Sequence, residues 1–434
     1  MSAIVRFPRK SSISVWKLCA ALCVVMALTI AGYAASEKVL YAFRSGQQHD
    51  KDGYAPNSTL VFDAAGNLYG TTEYGGIKNG GTAFELSPQP GGTWQETIIH
   101  FFIGPGGGGT DGFYPLAGMV FDGTGNLYGT TGGGGGEGAE GTVFELSPGT
   151  KEWTESVLHS FGVQAGDGQY PEAPVTLDCS GNLYGTTYMG RSPCLEGMVF
   201  QLAPKAGGWT ENQLHCFDEE DGPDGAYVIA GVTFDTSGNL YGTTYLGGSG
   251  NGVVYELSPG QGAWTENILY TFGQNAWHPG GPYAGVIFDK EGNLYGTDPF
   301  GGSAGYGSVY ELKNTGQGWE EITLYSFQDN GEDGVFPENG NLVFDNVGNL
   351  YGTTGGGGSG GCRGLGCGTV FELSPTKDGW QETILYSFRG GSDGSSPAQG
   401  LVLDSKGNLY GTTTGGGKCK LKSYGCGTVF EITP

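Results

Sequence analysis

Asp298, His278 and Trp277 come nearest to a reacting set: a carboxyl group and an imidazole for proton transfer, with an indole on which a sugar ring could stack. Tyr283 lies close by and completes a candidate ligand-binding group. These residues stand where a recurring pattern is broken. GNLYGTT becomes GNLYGTD at Asp298, and the Asp-Gly seen at Asp111-Gly112 and Asp333-Gly334 gives way to Trp277-His278-Pro279-Gly280-Gly281. Ordinary drift between repeats accounts for the same changes. A second set, Asp218, Glu219, Glu220, Asp221 and Asp224, gathers five carboxylates in one short run. Oxygen ligands of this kind suit a hard cation such as calcium, and a solvated acidic loop is the plainer reading. No cofactor is required on this view, and calcium is the one candidate.

Other matches carry less. Gly301 to Gly305 and Gly357 to Gly361 fit GxSxG but lack the strand-to-helix elbow that exposes a nucleophile. Gly106 to Phe113 fits one copy of a calcium-binding nonapeptide that works only in series. With 87 glycines, chance matches are expected.

The elements that must position these residues come from a repeat. GNLYGT occurs seven times, beginning at Gly66, Gly125, Gly181, Gly238, Gly292, Gly348 and Gly407. Each unit holds four segments of strand length, for example Leu60 to Asp63, Asn67 to Thr72, Gly81 to Leu86 and Trp94 to Phe102, rich in β-branched and aromatic residues and bounded by turn formers. Four strands per unit, repeated in series, make propeller blades. The expected fold is all-β: a seven-bladed β-propeller with four antiparallel strands per blade, spanning 35–434. Asp63 and its six equivalents, in Asp-x-x-Gly-Asn, are read as a turn-forming device. The last unit stops at its third strand, and Glu37 to Phe43 matches Glu266 to Phe272 in register, so the N-terminal strand is expected to complete blade 7. Trp94, Trp153, Trp209, Trp264, Trp319 and Trp380 are assigned to packing between blades, and Leu60 to Asp63 to the channel wall. His100, His159 and His215 replace Tyr on outer strands and are read as packing residues. Short turns fall on one face and variable loops on the other, where binding belongs.

The combination of GNLYGTT at Gly348 to Thr354, a Gly-rich gap and GTVFELSP at Gly368 to Pro375 resembles the Gloeo/Verruco (GloVer) tandem repeat of exported bacterial proteins. The resemblance covers the mature chain and implies an extracytoplasmic repeat protein without established catalytic residues. Members often end in an anchoring segment; this sequence stops inside the repeat at Pro434, so no such anchor is expected.

Residues 1–34 read as a signal peptide: Arg6, Arg9, Lys10 and Lys17 without an acid, an apolar run from Leu18 to Ile30, then small residues. A retained anchor is the alternative. Cleavage after Ala34 removes four positive charges from a chain of formal charge −24 and leaves −28. Such an acidic surface excludes a phosphate-tracking role on nucleic acid. In an exported chain, Cys362 with Cys367 and Cys419 with Cys426 are expected to form local disulfides, a shared zinc site being the alternative. Cys179, Cys194 and Cys216 allow one pair at most, left unassigned. The functional reading is a secreted or cell-envelope binding module, monomeric and off the membrane once cleaved. Its variable-loop face would meet a glycan or an envelope protein. An extracellular carbohydrate-active hydrolase or lyase using Asp298 and His278, and a purely structural envelope protein, are the alternatives.

Overall fold

The computed structural model describes residues 35–44, 51–104, 109–217, 222–248, 250–273, 281–338, 340–362, 364–397, 399–417, 419 and 425–434. Residues 1–34, the expected signal peptide, lie outside it, as do Trp277, His278 and Asp218 to Asp221. The chain forms seven four-stranded antiparallel sheets, with no helix among the described residues. In the first blade the order from the axis outward is Val61–Phe62, Leu68–Thr72, Thr82–Pro88 and Trp94–Phe101. The last blade takes its inner three strands, Val402–Leu403, Leu409–Thr413 and Thr428–Thr433, from the C-terminus and its outer strand, Ser36–Ala42, from the other end of the chain. Ser36 pairs with Thr433 and Ala42 with Thr428, so neither end is left as an open edge.

Each letter of GNLYGTT has a physical task. In the fourth unit the Asp235 carboxylate accepts the amides of Ser237 and Asn239 at 2.8 and 2.9 Å, the Asn239 side chain at 2.8 Å and the Tyr241 hydroxyl at 3.3 Å. Gly238 holds φ at 89°, with open space where a side chain would stand, so conformation alone demands glycine there. Leu240 is fully buried. The Tyr241 ring meets Phe288 of the next blade edge-on at 4.9 Å, and the last blade meets the first in the same way through Tyr410 and Phe62. Gly129, the central glycine of its strand, faces Phe144: a methyl group there would lie 2.6 Å from the ring. The next threonine ties blade to blade. Thr71 donates to the Ala117 carbonyl at 3.0 Å, and Thr130, Thr186, Thr243, Thr353 and Thr412 make the equivalent bond.

The outer strands differ from simple alternation. Trp264, Glu266, Ile268, Tyr270 and Phe272 share one parity, but the pairing slips between Val254 and Tyr255, and Leu269 turns inward to be buried as well. The same bulge occurs in all seven blades. Trp153 packs on Tyr69 of the preceding blade at 6.0 Å, and Trp209, Trp264 and Trp380 repeat that contact.

Candidate functional site

The axis is lined by the segment just before each innermost strand, one step earlier in the chain than the Leu60 to Asp63 run. A narrow cavity of about 110 Å³ receives residues from all seven blades, among them Asn57, Leu116, Glu172, Ile229, Tyr283, Asn341 and Gln399. That volume holds a few waters, so a larger ligand must sit at the mouth above it. Within the cavity rim, Gln399 donates to Asn57 at 2.7 Å and the Gly285 amide to Asn341 at 2.9 Å.

Two residues before the axial position, the backbone enters the left-handed region. Ala55, Tyr114, Tyr170, Tyr227, Phe336 and Ser396 have φ between 52° and 59°. The strain is held because each such residue joins two blades: Tyr114 donates to Gly80 of the preceding unit at 2.8 Å and accepts from Gly132 of its own at 2.9 Å. Four of the six are aromatic, and they continue into a half-buried arc. Tyr54 stacks on Tyr74 at 5.3 Å, Tyr74 meets Tyr114 at 5.2 Å, Tyr188 meets Tyr227 at 5.2 Å, and Tyr245 meets Tyr283 at 4.8 Å. Phe300 links Tyr283 to Phe336. Carboxylates stand among these rings. Burial, reinforced by the nearby Glu73 carboxylate, pushes Glu172 up to about 7, and burial raises Glu73 and Glu338.

A second recurring constellation lies at the seams between blades, toward the rim. At the first seam Tyr41 donates to Asp52 at 3.1 Å and to Glu96 at 2.9 Å. The tyrosine comes from the outer strand of one blade, the glutamate from that of the next, and the aspartate from the segment connecting them. Tyr325 with Asp333 and Glu382, and Tyr386 with Asp393 and Glu37, repeat the arrangement. Histidine takes the tyrosine's place at three consecutive seams, beside Asp111 and Glu155, Asp167 and Glu211, and Asp224 and Glu266.

The structure separates the sequence candidates. Tyr283 lines the axis, whereas Asp298 belongs to a seam, with Glu321 and Tyr270 as electrostatic neighbours. Asp298 accepts the Phe300 amide at 3.0 Å and takes the place the Asp-Gly aspartate holds at other seams. Burial raises it to about 6 against the pull of the Phe300 and Gly301 amides. Asp224, from the acidic run, meets His215 and Glu266. Cys362 is bonded to Cys367, Cys419 to Cys426, and Cys194 to Cys216, which leaves Cys179 exposed and free. Asn57, Glu172, Asn341 and Gln399 were not singled out from the sequence. The signal available for Asn57 and Glu172 was that their shared position changes residue type from unit to unit while its neighbours change less; Gln399 and Asn341 reach the cavity from those neighbouring positions, held elsewhere by Ser58 or Ala117 and by Thr59 or Gly118.

Ring, seams and axial mouth together define a β-propeller built from tandem repeats. The chain belongs to the Gloeobacter/Verrucomicrobia repeat family, whose model matches residues 89–277 and 235–434. No curated protein matches it in sequence. Among solved structures, it is similar in fold to a candidate 6-phosphogluconolactonase from Bacteroides fragilis at 12% identity, covering 85% of this chain and 98% of that one with a TM-score of 0.50. It is also similar to an ancestral GH74 enzyme at 12% identity and a TM-score of 0.53, covering 92% of this chain and 51% of that enzyme's length.

Proposed function

We propose that the protein is an extracytoplasmic binding propeller that holds an uncharged glycan over the axial mouth of its variable-loop face. One observation carries this reading. Turn aspartates, sheet glycines and bridging threonines recur from blade to blade, whereas the axial position reads Asn57, Leu116, Glu172, Ile229 and Tyr283 in successive blades. A scaffold repeats; a recognition surface differs at each contact. Tyrosine faces stack on the C–H faces of sugar rings, and the amides and carboxylates bond hydroxyls. The formal charge of −24 disfavours anionic polymers. The basic, apolar leader and three disulfides support export.

A glycan array, run with and without calcium and followed by calorimetry on any hit, tests the reading. Tyr283→Ala is expected to weaken binding at least tenfold, while Asp298→Asn, at a seam, leaves it within twofold. Equal loss in both variants, or no hit, refutes an axial glycan site. The raised Glu172 beside Glu73 favours a second reading, hydrolysis by a carboxyl pair. Product release from a bound glycan that ceases in Glu172→Gln supports it, in place of the blade 5 pair Asp298 and His278.

A further inference from the structure

We propose that two of the seven seams are metal sites. His159, Asp167 and Glu211 bind one first-row divalent cation of the zinc type, and His215, Asp224 and Glu266 bind a second.

The argument rests on how the seams differ. At three of the four tyrosine seams one hydroxyl closes the gap by hydrogen bonds: Tyr41 at 2.9 and 3.1 Å, Tyr325 at 3.0 Å, Tyr386 at 3.1 Å. Where histidine sits at the third of its seams, Nε2 lies 3.6 Å from both Asp224 and Glu266. That is too far for a hydrogen bond to either. His159 Nε2 is 3.4 Å from Asp167 and 3.7 Å from Glu211. In each set, one ligand atom per residue lies within 4.8 Å of the other two. An ion bonded tetrahedrally at about 2.0–2.1 Å holds its ligand atoms roughly 3.3–3.4 Å apart. The histidine-to-carboxylate distances already lie near this value, and the two carboxylates, within 4.8 Å of each other, must close by about 1 Å or somewhat more through side-chain rotation. Glu266 Oε1 and Glu211 Oε1 are buried without a hydrogen-bond partner, as are the equivalent oxygens of Glu37, Glu96, Glu155 and Glu382 at other seams; what the His215 seam adds is a buried imidazole Nε2 that is also without one.

The donor set chooses the ion. One imidazole nitrogen with two carboxylates suits zinc and its first-row neighbours better than calcium, which prefers six or more oxygens. Three protein ligands leave a fourth position for water. The first histidine seam is a built-in contrast: His100 Nε2 bonds Asp111 at 3.2 Å and Glu155 does not close on the pair, whereas His159, bonded to Asp167 at 3.4 Å, and His215 each have a glutamate within 4 Å as a third ligand, so the first seam takes no ion.

The test is metal content after stripping the full chain with EDTA, reloading with Zn²⁺ and desalting, read by elemental mass spectrometry, with Co²⁺ absorption in the visible as a second readout. Wild type should hold two equivalents, His215→Tyr one, and the His159→Tyr, His215→Tyr double variant none. Tyrosine is the residue of other seams, so these variants should keep the fold, which circular dichroism checks; Glu266→Gln should also lose one equivalent. Wild type without bound metal would mean that these histidines serve only as packing residues at the seams, and it overturns the proposal. So does uptake that is unchanged in the double variant.

Discussion

The turn aspartates and the seam glutamates are the same functional group repeated seven times on one ring, yet most of the first and most of the second sit in opposite electrostatic states. At the turns, burial alone would raise Asp122, Asp178, Asp235, Asp345 and Asp404, but donated hydrogen bonds outweigh it and hold all five below their ordinary value. At the seams, burial comes first and a second carboxylate adds to it. Glu37 is raised to about 7 with Asp393 beside it, Glu96 to about 8 facing Asp52, and Glu382 to about 7 facing Asp333. The difference is one of donors. A turn offers two or more N–H groups to its carboxylate, whereas at a seam the amides of Arg44, Gln328 and Arg389 reach only the aspartate, and the glutamate is left with the one hydroxyl at most.

The widest way to break this comparison is pH. The seam groups have folded values above their unfolded ones, so their contribution is complete below the ordinary Glu value of 4.5 and is lost as pH rises through about 7 to 8. The depressed turn groups act in reverse: their contribution is present above the ordinary Asp value of 3.8 and is lost as pH falls below it. The groups facing the seam glutamates are Asp52, Tyr41 and Arg44 at one seam, Asp333 and Tyr325 at another, and Asp393 and Tyr386 at a third. Thermal melts should therefore peak near pH 5 and fall by on the order of 10 °C by pH 9. A flat profile between pH 5 and 9 would show that the seams carry no shared proton.

Next in size is Asp235→Ala. It removes the acceptor for two amides, the Asn239 side chain and the Tyr241 hydroxyl, and should cost about 2–3 kcal/mol at pH 7 in denaturant melts. The loss should shrink as pH falls below the ordinary Asp value of 3.8, because the contribution of the depressed wild-type carboxylate is then being lost as well.

How much of this was legible depends on distance along the chain. Everything in GNLYGTT acts within a hairpin or on the next blade through one residue type, so its repetition exposed the fold and the aspartate's role. The seams resisted for a different reason. His215, Asp224 and Glu266 come from an outer strand, a connecting segment and the following outer strand. The fixed place of Glu before Phe and the recurring Asp-Gly were both visible, but not that they face one another. His100, His159 and His215 therefore passed for packing residues, and Asp298 for a reacting group, although it fills a seam whose Asp-Gly is missing. At the axis, Tyr283 stood out because it lies in an unusual stretch. Glu172 and Asn57 did not, because a position that varies between repeats looks like noise until its direction is known.

A smaller effect separates hydroxyl from carboxylate. Tyr325→Phe deletes the donor to Asp333 at 3.0 Å and leaves the Asp333–Glu382 pair without it, which should cost roughly 1–1.5 kcal/mol at pH 7. The penalty should grow toward pH 9, where both carboxylates ionise, and shrink toward pH 5, where Glu382, raised to about 7, holds its proton.

The smallest prediction is the sharpest in sign. Glu382→Gln keeps the shape of the seam and removes only the group that burial and Asp333 oppose. At pH 5 Glu382 is already protonated, so the variant should melt within about 1 °C of wild type. At pH 8.5 wild type must ionise it beside Asp333, while the variant carries a neutral amide that can donate to that carboxylate, and the variant should melt slightly higher. The same replacement at a turn, Asp235→Asn, should destabilise at both pH values, because there the charge is what the amides hold. If Glu382→Gln lowers the melting temperature at pH 8.5, the seam stabilises its ionised carboxylate as the turn does, and the contrast between the two rings of acids fails.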